Sequence, residues 1–427
     1  MRAVAIAVVL PGGGARGAYE AGALSVLLPA LEARGERVAI ACGTSVGAIN
    51  AALLASVAHL PAQAQADRVL ATWCEMRKDD VIARIAGPGL LGTALRLTGE
   101  SVGVRALGPA SLLDARPLRA SLDRWIDWVA LRRNLRAGRL DALCAVATSL
   151  ADGAPVAFVD GRRRALPTGG AGLRYVRARI DSEHVRASAA IPLLFPPVRV
   201  RSPRSAAGHY VDGATRLNTP IKPALALGAT KVIVVAFQPL ERAARQATPG
   251  RPRLTDVVAN IVEGLLVDQV VDDIHRLAAI NTFFAEDPQT AVSAATRGYR
   301  AVRGREHYRG VPYALVAPER AGRLGELAAE ALAARTRGWS ALADPDYAVL
   351  SLLLGRGAAA AELLSFLLFD ADHVEALIAA GRDDARRWLD CHPQLWCADA
   401  GHDLGLGAGD AARDDGSIEE FRLVRRR

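Results

Sequence analysis

Apolar residues run unbroken from Ala3 to Leu10 and stop at Pro11-Gly12-Gly13-Gly14. A run of eight, rich in Val and closed by a glycine turn, predicts a strand buried on both faces. Behind the turn, a helix is expected from Ala18 to about Arg34. A second short apolar strand, Val38 to Cys42, runs into Gly43-Thr44-Ser45-Val46-Gly47, and an apolar helix follows from Ala48 to about His59. Residues 62–78 have the spacing of an amphipathic helix. Residues 86–113 are Gly-rich and aperiodic, an insertion or lid candidate. Pro117 to Val129 predicts one helix and Ala142 to Leu150 a third strand. Asp152-Gly153 is a hairpin turn with Val156 to Val159 as the returning strand. Lys231 to Phe237 is another buried strand. A Pro/Arg-rich link at 239–253 then leads to a long helix, Leu254 to Ile280, and Tyr313 to Val316 is the last strand signal. From 319 the pattern is helical and Ala/Leu-rich up to a Gly/Asp-rich tail near 400. There is no internal repeat, and strands alternating with helices predict an α/β layered core.

Composition narrows the class. A length of 427 residues exceeds one ordinary domain, and 51% hydrophobic with 23% charged residues excludes disorder for the bulk of the chain. The net charge is +8, and only Lys78, Lys222 and Lys231 are lysines, so 50 of the 53 basic residues are Arg. That excess permits anionic partners without demanding nucleic acid. It is concentrated: residues 162–204 hold ten Arg against two acidic residues, and 101–140 hold eight Arg against three Asp. Such segments beside apolar ones suit an anionic membrane surface; a solvated, ion-paired face is the alternative. Five cysteines, an odd number, make no disulfide scaffold and fit a reducing, cytoplasmic compartment. Cys391, His392, Cys397 and His402 form a tail cluster, but C-x5-C lies outside the usual zinc spacing, so no metal is expected.

Two stretches imitate targeting signals. Arg2 followed by eight apolar residues resembles the start of a signal peptide, but cleavage there would remove a strand and its glycine loop. Ala348 to Phe369 is long and apolar, yet it holds Gly355-Arg356-Gly357 and Glu362. Charges at the centre of a span are costly, so two short helices are expected rather than a membrane crossing.

The glycine loop has two readings. Gly12-x-Gly14-x-x-Gly17 between strand and helix satisfies the dinucleotide fingerprint. That reading needs a carboxylate at the end of the next strand to hold the ribose. The next strand ends instead at Gly43-Thr44-Ser45-Val46-Gly47, a G-x-S-x-G pentad. A serine at a tight strand-to-helix turn is strained and exposes its Oγ as a nucleophile. Gly43 and Gly47 leave room for strand and helix to approach. A glycine-rich turn with no chemistry remains the plain alternative. Three consecutive glycines, Gly12, Gly13 and Gly14, can aim amides at one point, as an oxyanion requires. Arg16 at the mouth of that loop is either a structural ion-pair partner or an anion contact.

A serine also needs a base. None of the eight histidines sits in a convincing triad setting. Asp212 follows a short strand-like segment and precedes Gly213-Ala214, a turn that presents a carboxylate at a strand end, although Asp-Gly is also an ordinary turn dipeptide.

Taken in order, G-G-G-A-R-G at 12–17, G-T-S-V-G at 43–47 and D-G-A at 212–214 resemble the three catalytic blocks of the patatin-like phospholipases. Ser188-Ala189-Ala190-Ile191-Pro192 through Phe195-Pro196-Pro197 resembles a fourth block, and Asn218-Thr219-Pro220 the N-x-P that follows the aspartate. The resemblance covers about residues 3–320. It implies a three-layer αβα core over 1–320, with 321–427 a predominantly helical C-terminal extension of unassigned role. It implies a Ser–Asp dyad of Ser45 and Asp212, an oxyanion hole at Gly12, Gly13 and Gly14, an elbow at Gly43 and Gly47, and support from Arg16, Gly17, Gly213 and Ala214. No cofactor and no metal are implied, and the substrates would be lipid acyl esters. Ala214 departs from the family's usual third-position glycine but keeps a small residue. An ordinary carboxyl, with a pKa near ~3.9, is a poor base for a serine hydroxyl, so the dyad needs a dry site. A catalytically idle lipid- or partner-binding protein, and an acyltransferase using the same dyad, are the competing expectations.

Overall fold

A computed structural model of the chain describes residues 4–82, 115–162, 166–167, 172–192, 194–239, 310–335 and 358–397. The first half comprises β1 (Ile6–Leu10), α1 (Gly17–Glu32), β2 (Val38–Thr44), α2 (Val46–Val57), α3 (Ala62–Glu75), α4 (Arg116–Trp125), α5 (Trp128–Ala137), β3 (Ala142–Ser149) and β4 (Pro155–Gly161). After these come β5 (Arg174–Arg177), α6 (Ser182–Ser188), β6 (Val198–Val200), β7 (Gly208–Asp212), α7 (Ile221–Ala226), β8 (Lys231–Val235) and β9 (Tyr313–Val316). The described C-terminal helices are α8 (Arg323–Arg335), α9 (Ala358–Leu367) and α10 (Ala371–Cys391).

The strands form one mixed, mostly parallel sheet in the order β5-β4-β3-β2-β1-β8-β9, with β6 and β7 off this path. β1 sits near its centre, parallel to β2 on one side and β8 on the other. Its side chains alternate: Ile6, Val8 and Leu10 join one hydrophobic cluster, Ala7 and Val9 a second on the opposite face. Burial on both faces is why this strand reads as an unbroken apolar run rather than an alternating one. Helices α1, α2, α3 and α10 contribute to the first cluster, α7 to the second. The architecture is therefore the expected helix–sheet–helix sandwich with a helical C-terminal region.

Three local expectations change. The single helix at 117–129 is two helices broken at Ile126 and Asp127. Asp127 Oδ1 accepts the amides of Val129 (3.0 Å) and Ala130 (2.8 Å), starting α5 as an N-cap. β5, R-Y-V-R with both ends exposed, carried no strand signal because an edge strand guarded by charge has little apolar content. β6, only three residues long, is too short to show a period. The hairpin at Asp152-Gly153 forms as expected, with Gly153 at φ 67°.

The described residues after 320 are mostly helical but do not stand apart. α10 lies across α1 closely enough that a Cβ at Gly381 would fall 2.1 Å from the Tyr19 carbonyl oxygen. The Tyr19 hydroxyl donates to Asp384 Oδ2 at 2.7 Å. Tyr313 and Cys397 exchange two backbone hydrogen bonds, 2.9 and 2.8 Å, extending the sheet edge. Among the described residues, no helix is long and apolar enough to cross a membrane. The expected insertion at 86–113, the helix at 254–280, the first of two helices in 348–369 and the tail with His402 lie outside the described residues.

Candidate active site

Sheet register explains why two distant segments meet. β2 pairs with β3 only as far as Thr44 opposite Val146. One residue on, the same edge of β3 is taken over by β7, with Asp212 opposite Ala147. β4 already occupies the other edge of β3 there, pairing Ala147 with Val156. Asp212 therefore stands directly beyond the end of β2, where Ser45 begins the turn into α2. The glycine loop leaves the parallel neighbour β1, whose Leu10 pairs with Gly43. All three segments converge at the carboxyl ends of parallel strands, the usual place for a site in such sheets.

Ser45 has φ 54° and ψ −124°, the left-handed side of the map for a residue with a Cβ, and is 2% exposed. A conformation of this kind costs about 1–3 kcal/mol and persists only where the surroundings enforce it. Glycines enforce it here. A Cβ on Gly43 would lie 2.1 Å from the Gly47 carbonyl oxygen, and one on Gly47 would lie 2.0 Å from that of Leu10. Strand, turn and helix close to backbone contact only because neither carries a side chain. The Ser45 amide donates to Ser188 Oγ at 2.8 Å, and Ser188 donates in turn to the Val146 carbonyl. The next residue but one, Ala190, accepts the amide of Asp212 at 2.8 Å. Segment 188–190 thus straps both candidate catalytic residues by their backbones. Ser188 opens the fourth block of the resemblance, whose spacing assigns it no role; its buried hydroxyl beside a strained turn is the signal that only packing supplies.

Asp212 is fully buried. Its Oδ1 accepts the Ala214 amide at 2.8 Å, which fixes the carboxyl plane. Burial raises its pKa to about 7, against smaller opposing effects from the nearby Ser45 hydroxyl and the Ala214 amide. No aligned hydrogen bond joins Oδ2 to Ser45; that oxygen is buried without a partner among the described residues. Catalytic hydrogen bonds are often loose before substrate arrives and tighten on binding. Gly213 packs under this turn, where a Cβ would fall 2.3 Å from the Val146 carbonyl oxygen, and Ala214 is buried beside it. The methyl in place of the family's usual glycine is accommodated.

The glycine loop requires one correction. Gly12 is not a free donor: its amide is held by Asn218 Oδ1 at 2.7 Å. An amide already paired with a side chain is not available to an oxyanion, so Gly12 is a spacer, packed with its α-carbon towards Ser45 and Asn218. The amides of Gly13 and Gly14 have no acceptor among the described residues. Gly13 backs onto the Phe237 ring. Gly14 takes φ 56° and backs onto the Phe366 carbonyl, which a Cβ would meet at 2.1 Å.

Arg16 is fully buried. It pairs with Glu362, donates through Nε to Ser365 Oγ at 2.8 Å, and stacks over the Phe366 ring with its guanidinium carbon 4.0 Å from the centroid. Of its two expected roles, these contacts describe the structural ion pair. Gly17 lies against Val46 and Trp73. Behind it Asn50 links three helices, donating to the Gly17 carbonyl (2.9 Å) and Glu20 Oε2 (2.7 Å) and accepting from Trp73 Nε1 (2.8 Å). Burial pushes the Glu20 carboxyl well above the ordinary range, against a smaller opposing effect from the Asn50 hydrogen bond.

An apolar pocket opens beside Ser45, lined among others by Ile49, Trp73, Phe195, Phe366, Leu367 and Phe369. Its free volume is about 30 Å³, room for about two waters. A strained serine turn, a dry carboxyl, amides with no acceptor among the described residues and an apolar recess are the kinds of group that acyl transfer from an apolar ester requires.

A family model described as patatin-like phospholipase matches residues 8–225, a span that holds all four sequence blocks. The chain belongs to the patatin-like phospholipase family. A comparison with curated proteins finds no match. Two solved structures are similar to this patatin-like chain. VipD from Legionella pneumophila is 13% identical with a TM-score of 0.35, covering 91% of this chain and 67% of its own. The ExoU–SpcU complex from the type III secretion system of Pseudomonas aeruginosa is 17% identical with a TM-score of 0.26, covering 90% of this chain and 75% of that one. Family membership supports a hydrolase acting on lipid acyl esters in general.

Proposed function

We propose that the chain is a serine lipid acyl hydrolase of the phospholipase, lysophospholipase or acyl-glyceride esterase type, working through Ser45 and Asp212. The observation that carries this is the register switch on β3, which sets a desolvated carboxyl against a strained serine. In the first half-reaction the Asp212 carboxylate takes the Ser45 proton as Oγ attacks the ester carbonyl carbon. The resulting oxyanion accepts hydrogen bonds from the Gly13 and Gly14 amides. Collapse breaks the ester C–O bond, and the proton on Asp212 passes to the departing alcohol. Water, deprotonated by the same carboxylate, then releases the fatty acid and restores Ser45. A metal has no part in these steps. The division at residue 320 is proposed as a functional one, between a segment that holds the dyad and a segment that walls it.

Covalent labelling by a fluorophosphonate tests the nucleophile: labelling is expected in the wild type and lost in Ser45→Ala. Product analysis on a membrane lipid extract, with Ser45→Ala as the control, is expected to find free fatty acid. Acylated alcohol as the main product would replace hydrolysis by transfer.

The base gives a pH signature. Asp212 must be ionised to act, so kcat/KM is expected to rise through about pH 7 and level off above it. A rate independent of pH between 5.5 and 8.5, about the window that brackets this pKa, would remove Asp212 as the base. The same shift has the opposite effect on stability. A carboxyl whose folded pKa lies above its ordinary 3.8 contributes stability that is fully present below pH ~4 and lost as pH rises through about 7.

The Arg-rich window bears on the surface the enzyme works at. Arg177 is exposed on edge strand β5, and Arg199 and Arg204 are exposed on or beside β6, which pairs with β7. We read these Arg-rich strands as suited to peripheral contact with anionic lipid. Vesicles containing phosphatidylserine are expected to bind about tenfold more tightly than neutral ones, with the difference shrinking as salt is raised. Equal binding to both would set the idea aside.

A further inference from the structure

One wall of the pocket beside Ser45 comes from the far end of the chain. Phe366 and Leu367 close α9, Phe369 follows it, and all three are buried against the pocket. Their backbone is held firmly. The Arg16–Glu362 pair and the Ser365 hydroxyl tie α9 to the glycine loop. The Phe366 carbonyl backs onto Gly14 with no room for a Cβ between them. Asp370, immediately after Phe369, caps α10 by accepting the Asp372 amide at 3.0 Å and pairs with Arg335 at 2.9 Å. With the backbone held on both sides, these side chains bound the free space beside Ser45. The free volume beside Ser45 is about 30 Å³, room for about two waters.

We propose that Phe366, Leu367 and Phe369 are the acyl-length stop of this enzyme, so that the C-terminal segment sets chain-length specificity. As an ester preference the proposal rests on Ser45 being the nucleophile; as a statement about which alkyl chain fits, it does not. Each methylene that enters an apolar recess is worth roughly fourfold in affinity. The gain ends where the chain meets the wall. Specificity of this kind, a methylene more or less, amounts to about 10–200-fold.

The test is calorimetric titration with free fatty acids from butyrate to dodecanoate, below their micelle concentrations, beside hydrolysis of the corresponding nitrophenyl esters. Phe366→Ala and Phe369→Ala are expected to move the tightest-binding acid to a longer chain, raising the long-to-short affinity ratio by about tenfold. Phe369→Leu, which keeps an apolar contact should the alanine variants fold poorly, shifts it the same way by less. Phe369→Trp shifts it towards shorter chains. The ester series follows the acids, in kcat/KM ratio rather than in absolute rate. An unchanged optimum in the widened and the narrowed variants alike overturns the proposal, as does a wild type that binds no fatty acid. Acid binding that shifts while no ester is hydrolysed leaves the length stop standing and removes the nucleophile assignment instead.

Discussion

Replacing Ser45 with alanine is expected to lower ester hydrolysis by on the order of 10⁴-fold or more, with little change in the melting midpoint. The reasoning is local. The substitution removes only Oγ, and the interactions that hold the turn are made by the backbone: the amide to Ser188 and the carbonyl to the Ala48 amide at 2.9 Å. Alanine at φ 54° is as strained as serine, so the cost of the turn is unchanged. Asp212→Asn should fall by about 10³–10⁴-fold. Its carboxamide oxygen still accepts the Ala214 amide, so the turn survives, but it cannot take a proton at neutral pH. The decisive measurement is the double variant. Two groups acting as one unit are not additive, so Ser45→Ala with Asp212→Asn should be no slower than Ser45→Ala alone. Full activity in either single variant would end the dyad assignment. The wild-type rise in rate through about pH 7 should also disappear in Asp212→Asn.

Gly47→Ala is expected to cost about 3 kcal/mol or more of folding stability, the upper end of what an overpacked methyl does. Its Cβ would stand 2.0 Å from the Leu10 carbonyl oxygen, 2.5 Å from the carbonyl carbon and 2.7 Å from the Pro11 oxygen. All three are backbone atoms of the central strand and its exit, so no side chain can rotate away. Relief requires α2 to lift from β1, which carries Ser45 away from both Asp212 and the Gly13–Gly14 amides. A displacement near 1 Å at a reacting atom is enough for about a 10²-fold loss of rate. Urea unfolding and kcat/KM on one preparation check both parts. Stability within about 0.5 kcal/mol of wild type, the usual range of an innocuous surface change, would contradict the close approach at the elbow.

The two variants fail for different reasons, and that difference separates chemistry from scaffold. Ser45→Ala should leave a folded protein unreactive to fluorophosphonate. Gly47→Ala should leave a less stable protein that still labels, slowly.

The sequence alone carried the elements whose burial is uniform. β1, β2, β3 and β8 are buried along nearly their whole length, so their apolar runs announce them, and the glycines between them mark where the chain turns. The nucleophile turn and the aspartate were legible because each needs particular residue types in a fixed order: small residues around a strained serine, and a carboxylate leading a tight turn. Edge strand β5 was not legible, since its residues answer to solvent as much as to the sheet. Nor was the split between α4 and α5, which depends on one Asp127 side chain turning back to cap amides rather than facing water.

What only the tertiary structure decided is who touches whom. That Gly12 spends its amide on Asn218, and that Arg16 serves Glu362 rather than an anion, depend on contacts across 206 and 346 positions of chain. No local pattern encodes such separations. The basicity of Asp212 belongs here too: a carboxyl is an ordinary acid until the sheet removes its water, and burial is a property of the fold, not of the residue. The sequence named the candidate nucleophile, the candidate base and the family. Packing held the Gly12 amide on Asn218, dried the Asp212 carboxyl and brought the end of α9 against the pocket beside Ser45.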